Sequence, residues 1–384
     1  MIGGTLALAV DSTLLTELAG DRCLACVSGT NGKTTTTQLV LQALASAYDV
    51  TSNAGGANMP AGLVSALAVR PRNRFSVLEV DEVYLPGVVA SVRPRTVVLL
   101  NLSRDQLDRM AETRRIAGAW REMAARASET TVVANADDPL VVWAAQTAAR
   151  VVWVGAGLAW RLDATACPAC GGLVRFDDAG WHCQGCELRR PEPSVEVTDG
   201  GVEVRGVRHE LMLSLPGRAN RSNAAMALAV ADSLGVPVDE AVVRMGTVSA
   251  VDGRYSTVHV DGTGYRMLLA KNPAGWQEVL DVISTDGRPL VVAINARSAD
   301  GKDTSWLWDV PFEQIAGRHV VATGDRAGDL ALRLSYADVP HDVVTDRAAA
   351  LRAAAARLTG ARSDTGPDVD VCANYTAFRE LRVL

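Results

Sequence analysis

Two glycines, a lysine and a run of threonines form the part of the sequence best suited to chemistry. They lie in SGTNGKTTTT, residues 28–37, between an apolar segment and a segment with helical periodicity. Gly29 and Gly32 permit a tight turn that brings backbone N–H groups and a helix N-terminus towards one anion. The Lys33 ammonium suits phosphate oxygens, and the Thr34 hydroxyl suits Mg²⁺. We therefore predict a phosphate-binding loop. The alternative is a plain glycine turn before a threonine-rich helix, because two residues rather than the usual four separate Gly29 from the Gly-Lys pair.

Four of the seven cysteines have the spacing of a zinc site. They form two Cys-x-x-Cys pairs separated by twelve residues: Cys167, Cys170, Cys183 and Cys186. A closed set of four sulfur ligands leaves no position for a substrate, so we predict structural zinc. The zinc would contribute on the order of 10 kcal/mol to the folding of an insert at about 163–190. Cys23 and Cys26 share the spacing, but residues three apart in a strand point to opposite faces, so we assign them and Cys372 to the core.

The composition is that of a globular protein with more than one domain. A chain of 384 residues, 48% hydrophobic and 21% charged, is too long for one small core. The net charge of −6 argues against nucleic acid binding, which normally needs a basic surface. No apolar run approaches the roughly 20 residues of a membrane-spanning helix, and the N-terminal MIGGTLALAVDSTLL lacks the basic residues of a signal peptide. Because the paired cysteines suit a metal better than disulfides, we predict a cytoplasmic protein.

Apolar runs alternate with helical patterns on both sides of the cysteine-rich insert, which predicts an α/β fold. The predicted strands are 23–28, 74–80, 95–103, 130–136, 289–296, 319–325 and 368–375, with helices at 33–48, within 213–236 and at 347–360. We expect a first α/β domain over 1–252, which carries the zinc insert, and a smaller α/β domain over 253–384. Of the 38 basic residues only Lys33, Lys271 and Lys302 are lysines, and each lies in a polar stretch.

The phosphate loop resembles the ATP loop of the Mur ligase superfamily, whose members activate a carboxylate as an acyl phosphate and then form an amide. Further motifs follow in the order of that family. VLEVDE at 77–82 resembles the segment whose first glutamate binds Mg²⁺, and ANADDP at 134–139 resembles the stretch near the adenine. PGRANRSNAAMA at 216–227 resembles a Gly…Asn…Asn-Ala segment of the same domain. DGR at 252–254 matches the place where an arginine approaches the γ-phosphate.

The resemblance implies ATP and Mg²⁺ as cofactors and assigns roles to single residues. Mg²⁺ ligands are implied in Thr34 and Glu79, and catalytic roles in Lys33, Glu79 and Arg254. Phosphoryl transfer to a carboxylate brings two anions together, so these are the groups that the reaction needs. The implied nucleotide contacts are Gly29, Thr30, Asn31, Gly32, Lys33, Thr34, Thr35, Asn135 and Asp138.

The second half of the chain is similar to one branch of the superfamily, the MurT family, which supplies the synthetase subunit of lipid II isoglutaminyl synthase. The similarity lies in LLAKNPAG at 268–275, SADGKDTSWLWD at 298–309 and ANYTAF at 373–378, with RDQLDR and the zinc insert. It implies ATP-dependent phosphorylation of the α-carboxylate of D-glutamate in the lipid II stem peptide, followed by attack of ammonia to give D-isoglutamine. The amidation would take place at the inner face of the membrane, with only peripheral contact between the protein and the membrane. The contacts to the acyl phosphate or nucleotide implied in this half are Lys271 and Asn272.

Ammonia requires a glutaminase, and the five histidines and a lone cysteine in an apolar strand offer no convincing nucleophile and base. The MurT resemblance implies a partner, a GatD-like class I glutaminase, whose cysteine and histidine are completed by an aspartate that matches Asp303. From the residues alone, Asp300 and Asp309 compete with Asp303, and all three could cap turns. Trp306 and Trp308 would share one face of a strand and anchor a partner, or would lie in the core.

Two other functions stay open at this point. An amino-acid-adding Mur ligase or a folylpolyglutamate-type ligase usually carries an Asp-His pair, where this chain has Gln106, and a different loop at 268–275. Such enzymes also often carry a carbamylated lysine, yet no lysine occurs between Lys33 and Lys271, which leaves a second metal site open. A zinc-ribbon module that binds ATP without chemistry would have no need of the Glu79 and Arg254 side chains.

Overall fold

A computed structural model describes residues 2–53, 57–69, 74–104, 112–251, 255–283, 287–358 and 367–383. The chain divides into two compact units. Unit 1 comprises the described residues of Met1–Ser103 and Ala111–Ser249, and unit 2 comprises those of Arg104–Met110 and Ala250–Leu384. The domain boundary expected at 252–253 stays a prediction. Within the described ranges no helix combines the length and the apolar character needed to cross a membrane.

Unit 1 contains one large mixed sheet and a separate two-stranded hairpin. Its strands are β1 (Cys23–Ser28), β2 (Val50–Ser52), β3 (Phe75–Glu79), β4 (Thr96–Leu99), β5 (Thr131–Asn135), β6 (Arg150–Gly155), β7 (Val174–Asp177), β8 (Gly180–Cys183), β9 (Val195–Thr198), β10 (Gly201–Val204) and β11 (Val207–Glu210). Its helices are α1 (Ile2–Val10), α2 (Leu14–Ala19), α3 (Lys33–Leu44), α4 (Pro60–Val69), α5 (Leu85–Val92), α6 (Glu112–Arg126), α7 (Pro139–Ala145), α8 (Arg218–Ser233) and α9 (Val238–Met245).

In the described part of unit 1 the sheet has the order β11-β10-β9-β6-β5-β4-β1-β3-β2, and β7 and β8 form a separate antiparallel hairpin. The strands from β2 to β9 in this order pair in parallel, whereas β10 pairs antiparallel with β9 and β11. From β1 the chain passes to β2, returns to β3 between β1 and β2, and then crosses to β4 on the other side of β1. Open α/β sheets bind ligands at such a switch point, beyond the carboxyl ends of the strands.

Helices cover both faces of the unit 1 sheet and fix its core. Buried residues of α3, α8 and α9 form one cluster, and buried residues of α4, α5, α6 and α7 form another. Cys23 packs against the first cluster and Cys26 lies in the second. The expectation that these two cysteines point to opposite faces of β1 is therefore confirmed.

Unit 2 is a smaller α/β domain with its own core. Its strands are β12 (Tyr255–Val260), β13 (Thr263–Leu269), β14 (Leu290–Ala293), β15 (Val320–Thr323), β16 (His341–Val343) and β17 (Val369–Ala373). Its helices are α10 (Pro273–Ile283), α11 (Ala327–Tyr336), α12 (Arg347–Ala355) and α13 (Tyr375–Leu381), with short 3₁₀ helices at Ser305–Asp309 and Phe312–Ile315. The described strands form one sheet in the order β12-β13-β17-β14-β15-β16, in which only the β12–β13 pair is antiparallel.

Candidate active site

The predicted phosphate loop forms a strand–turn–helix, as expected. The chain leaves β1 at Ser28 and enters α3 at Lys33, with Gly32 at the helix N-cap. Gly32 has a φ of +86°, and a Cβ there would lie 2.5 Å from the Oδ1 atom of Asn223 on α8. Both the backbone conformation and the lack of space therefore require glycine at position 32.

The segment that follows β4 holds the phosphate loop in place. The Thr30 amide donates to the Asn101 carbonyl (3.0 Å), and the Asn31 amide donates to Asn101 Oδ1 (2.9 Å). The Asn101 side-chain amide donates back to the Asn31 carbonyl (3.0 Å), and the Ser103 amide donates to Thr30 Oγ1 (3.0 Å). The sequence reasoning missed Asn101 and Ser103. Their position just after a parallel strand beside β1 is the signal that would have found them.

Lys33 lies almost completely buried at the start of α3, with 3% of its surface exposed. Its Nζ atom donates to Glu82 Oε2 (2.9 Å), to the Thr30 carbonyl (3.3 Å) and to the Gly29 carbonyl. The Thr34 and Thr35 side chains are also buried on the first turn of α3. Lys33 is thus placed at the anion-binding end of the helix, with a carboxylate partner that the sequence reasoning did not assign.

Glu79 ends β3, directly beside β1, where Val27 is its partner in the register. Its carboxylate is buried, and its Oε1 accepts from the Asn58 side-chain amide (3.4 Å). Asn53 fixes the Glu79 backbone through two hydrogen bonds of 2.8 Å each. In the part of the chain that the structure describes, no basic side chain forms an ion pair with Glu79. A buried carboxylate without a basic partner fits a divalent cation, so Glu79 and Thr34 suit Mg²⁺.

Asn135 and Asp138 lie at the carboxyl end of β5, on the same edge of the sheet. Asn135 Oδ1 accepts from the Asp137 amide (2.9 Å), and its side-chain amide donates to the Gly157 carbonyl (3.2 Å). The Asp138 carboxylate caps α7 through the Leu140 amide (2.9 Å) and binds the Leu102 amide (2.9 Å). Asp138 therefore positions two chain segments, while direct contacts of either residue with a nucleotide stay predictions.

The four predicted zinc ligands meet at one point. Their Sγ atoms all lie within 4.8 Å of one another, with 3.7 Å between Cys167 and Cys186 and 3.5 Å between Cys170 and Cys183. Tetrahedral zinc with Zn–S bonds of about 2.3 Å places its sulfur ligands about 3.8 Å apart. The Gly172 amide also donates to Cys170 Sγ (3.3 Å). The donor set and its spacing therefore fit zinc.

Within unit 1, the cysteine-rich insert contacts the rest of the unit next to the Asn135–Asp138 stretch. The Trp181 indole N–H on β8 donates to the Ala136 carbonyl (2.9 Å). Arg190 forms ion pairs with Asp137 (2.6 Å) and Glu196 (2.7 Å). Trp181 and Arg190 were not singled out from the sequence, because Ala136 and Asp137 lie 45 and 53 residues away from them along the chain.

In unit 2, Lys271 and Asn272 lie between β13 and α10. Asn272 is fully buried, and its Oδ1 accepts from the Gly275 amide (2.8 Å), as an N-cap residue of α10 does. Lys271 is half-buried. Their predicted contacts with an acyl phosphate or nucleotide stay predictions.

The three candidate aspartates of unit 2 differ in their surroundings. Asp300 is buried and binds the amide (2.8 Å) and the hydroxyl of Thr376, so it joins this segment to α13. Asp309 forms an ion pair with Arg104 (3.4 Å). Asp303 is exposed, and its Oδ1 accepts from the Ser305 amide (2.8 Å). Hydrogen bonds from the backbone and hydroxyl of Ser305 lower the pKa of the Asp303 carboxyl, which keeps it ionised.

The prediction of a strand through Trp306 and Trp308 is wrong. Both lie in the 3₁₀ helix Ser305–Asp309, which directs them to different surroundings. Trp306 lies in the core of unit 2 with Trp276, whereas Trp308 is 51% exposed and stacks edge-on against Tyr336. Cys372 is in the core as expected, and burial raises the pKa of its thiol far above the usual value.

Gln106 and Arg254, which the sequence analysis named, lie outside the described residues. Their roles stay predictions. Of the remaining predicted site residues, the structure brings those of the phosphate loop, Glu79, Asn135 and Asp138 to one edge of the unit 1 sheet, and it places Lys271, Asn272 and Asp303 in unit 2.

Comparisons with known proteins agree with this architecture. Residues 27–165 match the family model of the Mur ligase middle domain, and residues 269–378 match that of the MurT ligase C-terminal region. In structure, the chain is similar to a pseudomurein peptide ligase type C from Methanothermus fervidus, with a TM-score of 0.72 at 18% identity over 94% of this chain and 78% of that one. This likeness shows a Mur-ligase-like α/β fold.

Two curated relatives each match most of this chain. The lipid II isoglutaminyl synthase (glutamine-hydrolyzing) subunit MurT of Staphylococcus aureus (strain COL) is 30% identical over 90% of this chain and 84% of its own. The subunit of that name from Streptococcus pneumoniae (strain ATCC BAA-255 / R6) is 29% identical over 99% of this chain and 91% of its own. The chain therefore belongs to the MurT family of Mur-ligase-fold enzymes.

Proposed function

We propose that this protein is the ATP-dependent amidating subunit of a lipid II isoglutaminyl synthase. In this proposal it transfers the γ-phosphoryl group of ATP to the α-carboxylate of D-glutamate in the stem peptide, and ammonia then displaces phosphate to give D-isoglutamine. The observation that carries the proposal is the edge of the unit 1 sheet, where the Gly29–Lys33 loop and the Glu79 carboxylate lie on adjacent strands. Membership of the MurT family supports the choice of substrate.

The residues of unit 1 divide the work of phosphoryl transfer. Lys33 and the N-terminus of α3 neutralise phosphate charge, and Gly32 allows a close approach of the backbone. Glu79 and Thr34 would hold Mg²⁺, which, when bound, supplies positive charge between the phosphate oxygens. Arg254 is proposed to complete the charge balance on the γ-phosphate. Asn101 and Asn53 act through these groups, because they fix the loop and the backbone of Glu79.

Zinc at Cys167, Cys170, Cys183 and Cys186 is proposed to be structural. The four thiolates form a closed set, and the insert that carries them has only a small cluster of buried apolar residues of its own and of α7. Metal ligation would therefore supply much of the folding free energy of the insert.

We propose that ammonia comes from a separate glutaminase subunit, as the word subunit in the names of the relatives suggests. The MurT resemblance points to a GatD-like class I glutaminase. Among the three candidate aspartates, Asp303 has the exposed and ionised carboxylate that a partner's histidine would need. Lipid II as the substrate implies that the complex acts at the inner face of the membrane.

The test is reconstitution of the protein with a GatD-like glutaminase, followed by an assay of stem-peptide amidation with ATP and glutamine. Amidation is expected for the wild type. Lys33→Ala and Glu79→Ala should each lower it by at least about 100-fold, because each removes charge stabilisation from the transition state. Complex formation, measured by co-purification, should stay intact in both variants. Amidation that survives both substitutions would refute the proposed site.

A further inference from the structure

The phosphate-loop lysine forms a buried ion pair with Glu82. Lys33 and Glu82 are 3% and 8% exposed, and their Nζ and Oε2 atoms lie 2.9 Å apart. The two other contacts of Nζ are the carbonyl oxygens of Gly29 and Thr30. An ammonium group has three N–H donors, so the protein itself uses all three.

Glu82 is held in place independently of Lys33. It lies in the turn between β3 and α5, where the Leu85 amide donates to the Asp81 carbonyl (3.0 Å). The Glu82 carbonyl accepts from the indole N–H of Trp120 on α6 (2.9 Å), and Trp120 is fully buried. With its backbone fixed by the core, Glu82 cannot follow Lys33 towards a ligand. A lysine that turns to a phosphate must therefore leave this carboxylate.

We propose that Glu82 competes with the nucleotide for Lys33, so that ATP binding is an exchange of ion-pair partners. The inference rests on the proposed function in one respect: it takes the anion bound by the loop to be a nucleotide phosphate. Breaking a buried ion pair is unfavourable, and the carboxylate left behind repels the incoming polyphosphate. Glu82 thus lowers the affinity for nucleotide and acts as a positioning residue for Lys33, without any contact with the reacting atoms.

The first experiment measures ATP binding to the full chain by calorimetry in the absence of Mg²⁺. Glu82→Gln keeps the length of the side chain and an acceptor oxygen for Lys33 but removes the charge. We expect this variant to bind ATP about 5- to 20-fold more tightly than the wild type, because neither the ion pair nor the repulsion opposes binding. Asp81→Asn is the matched control. It removes a neighbouring carboxylate that accepts from the Val83 amide (3.0 Å), and it should change the affinity by less than about 2-fold.

Equal or weaker binding by a folded Glu82→Gln variant would overturn the proposal, as would equal tightening in Asp81→Asn. If Glu82→Gln does not fold, Glu82→Asp serves instead. It keeps the charge but draws the carboxylate back by one methylene from the 2.9 Å contact, and it should also tighten binding. Unchanged or weaker binding by Glu82→Asp would overturn the proposal in that case.

A second experiment needs no substitution at Glu82. The chain contains three lysines, so labelling with ¹³C,¹⁵N-lysine gives three Nζ signals. The signal that is lost in Lys33→Arg belongs to Lys33. We expect the Lys33 signal of the wild type to shift when ATP is added, as the partner of Nζ changes. A Lys33 signal that stays in place while ATP binds would overturn the exchange alone. Failure of the wild type to bind ATP, or equal binding by Lys33→Ala, would overturn both the exchange and the proposed phosphate site.

Discussion

Asp138 shows how one buried side chain joins separate segments around the candidate site. Its Oδ1 atom caps α7, and its Oδ2 atom holds the Leu102 amide in the segment that also supports the phosphate loop. These hydrogen bonds favour the ionised form, but burial has the larger effect and raises the pKa of Asp138 to about 6. The carboxylate is therefore a group of unit 1 in which we expect a pH dependence between about pH 5 and about pH 7.5.

Substitution of Asp138 by Asn should remove that pH dependence. Because the pKa in the folded state lies above the reference value of 3.8, the folded wild type takes up the proton first as the pH falls. The wild type should gain about 1 kcal/mol of unfolding free energy relative to Asp138→Asn between about pH 7.5 and about pH 5. Urea unfolding of both proteins at the two pH values measures this. A difference that does not vary with pH would contradict the prediction.

Gly32 is the second residue whose substitution has a calculable consequence. An alanine there meets both an unfavourable backbone conformation at a φ of +86° and the Asn223 side chain at 2.5 Å. We expect Gly32→Ala to lower the unfolding free energy by about 2–4 kcal/mol. Gly206→Ala is the control, because Gly206 has a φ of +81° and open space around it, so only the backbone term of about 1 kcal/mol applies. Equal losses would show that Asn223 moves aside without cost.

At the scale of elements, the zinc insert contacts the end of β5 through two side chains. Trp181 and Arg190 bind Ala136 and Asp137, so the insert supports the end of β5 at the stretch proposed to lie near the adenine. The two large core clusters of unit 1, by contrast, are formed by the main sheet and the helices that cover it. Loss of zinc should therefore affect the insert and this stretch far more than the sheet.

Removal of zinc by a chelator tests that expectation. Amide hydrogen exchange in residues 165–190 should become faster by at least about 100-fold, because the insert loses the metal that stabilises it. Exchange at 135–138 should rise by a smaller factor, while β1 and β4 keep their protection. Purified protein without about one equivalent of zinc, or unchanged exchange after chelation, would show that the four thiols serve another purpose.

The elements also show how far sequence reasoning reached. The predicted strand at 23–28 coincides with β1, but the one at 95–103 ends at Leu99, because the next residues turn to bind the phosphate loop. That turn depends on contacts between distant segments, which no local pattern records. The strand predicted through Trp306 and Trp308 was wrong for another reason. Two aromatic residues two positions apart suggest a strand, but Ser305–Asp309 forms a 3₁₀ helix in which Trp306 and Leu307 are buried and Trp308 is exposed.

Site residues could be predicted where their chemistry is local. The phosphate loop and the four cysteines follow from spacing, and the structure confirms the strand–turn–helix and the meeting of the four thiols. Glu82 could be read in the sequence but not assigned, because its partner Lys33 is 49 residues away along the chain. The pairing arises only when β3 lies beside β1.

At the scale of the whole molecule, the proposed division of labour with a glutaminase concerns Asp303. In the reconstituted complex, Asp303→Asn should lower glutamine-driven amidation by at least about 100-fold, because the partner's histidine would lose the carboxylate that orients it. Amidation driven by free ammonia should be unaffected. Asp309→Asn is the control in the same segment and should retain both activities. If Asp303→Asn lost both activities alike, Asp303 would have no part in the hydrolysis of glutamine.

The place of the zinc insert in the chain has a consequence for attempts to shorten the protein. The chain leaves the main sheet of unit 1 after β6, forms the insert and returns to the sheet at β9. These two strands pair directly and in parallel, with Val154 opposite Val195. Parallel neighbours cannot be joined by a tight hairpin and need a connection of about a dozen residues or more. The insert therefore also serves as the crossover connection between the parallel strands β6 and β9. A protein shortened by removal of the insert would need another connection of that length between β6 and β9.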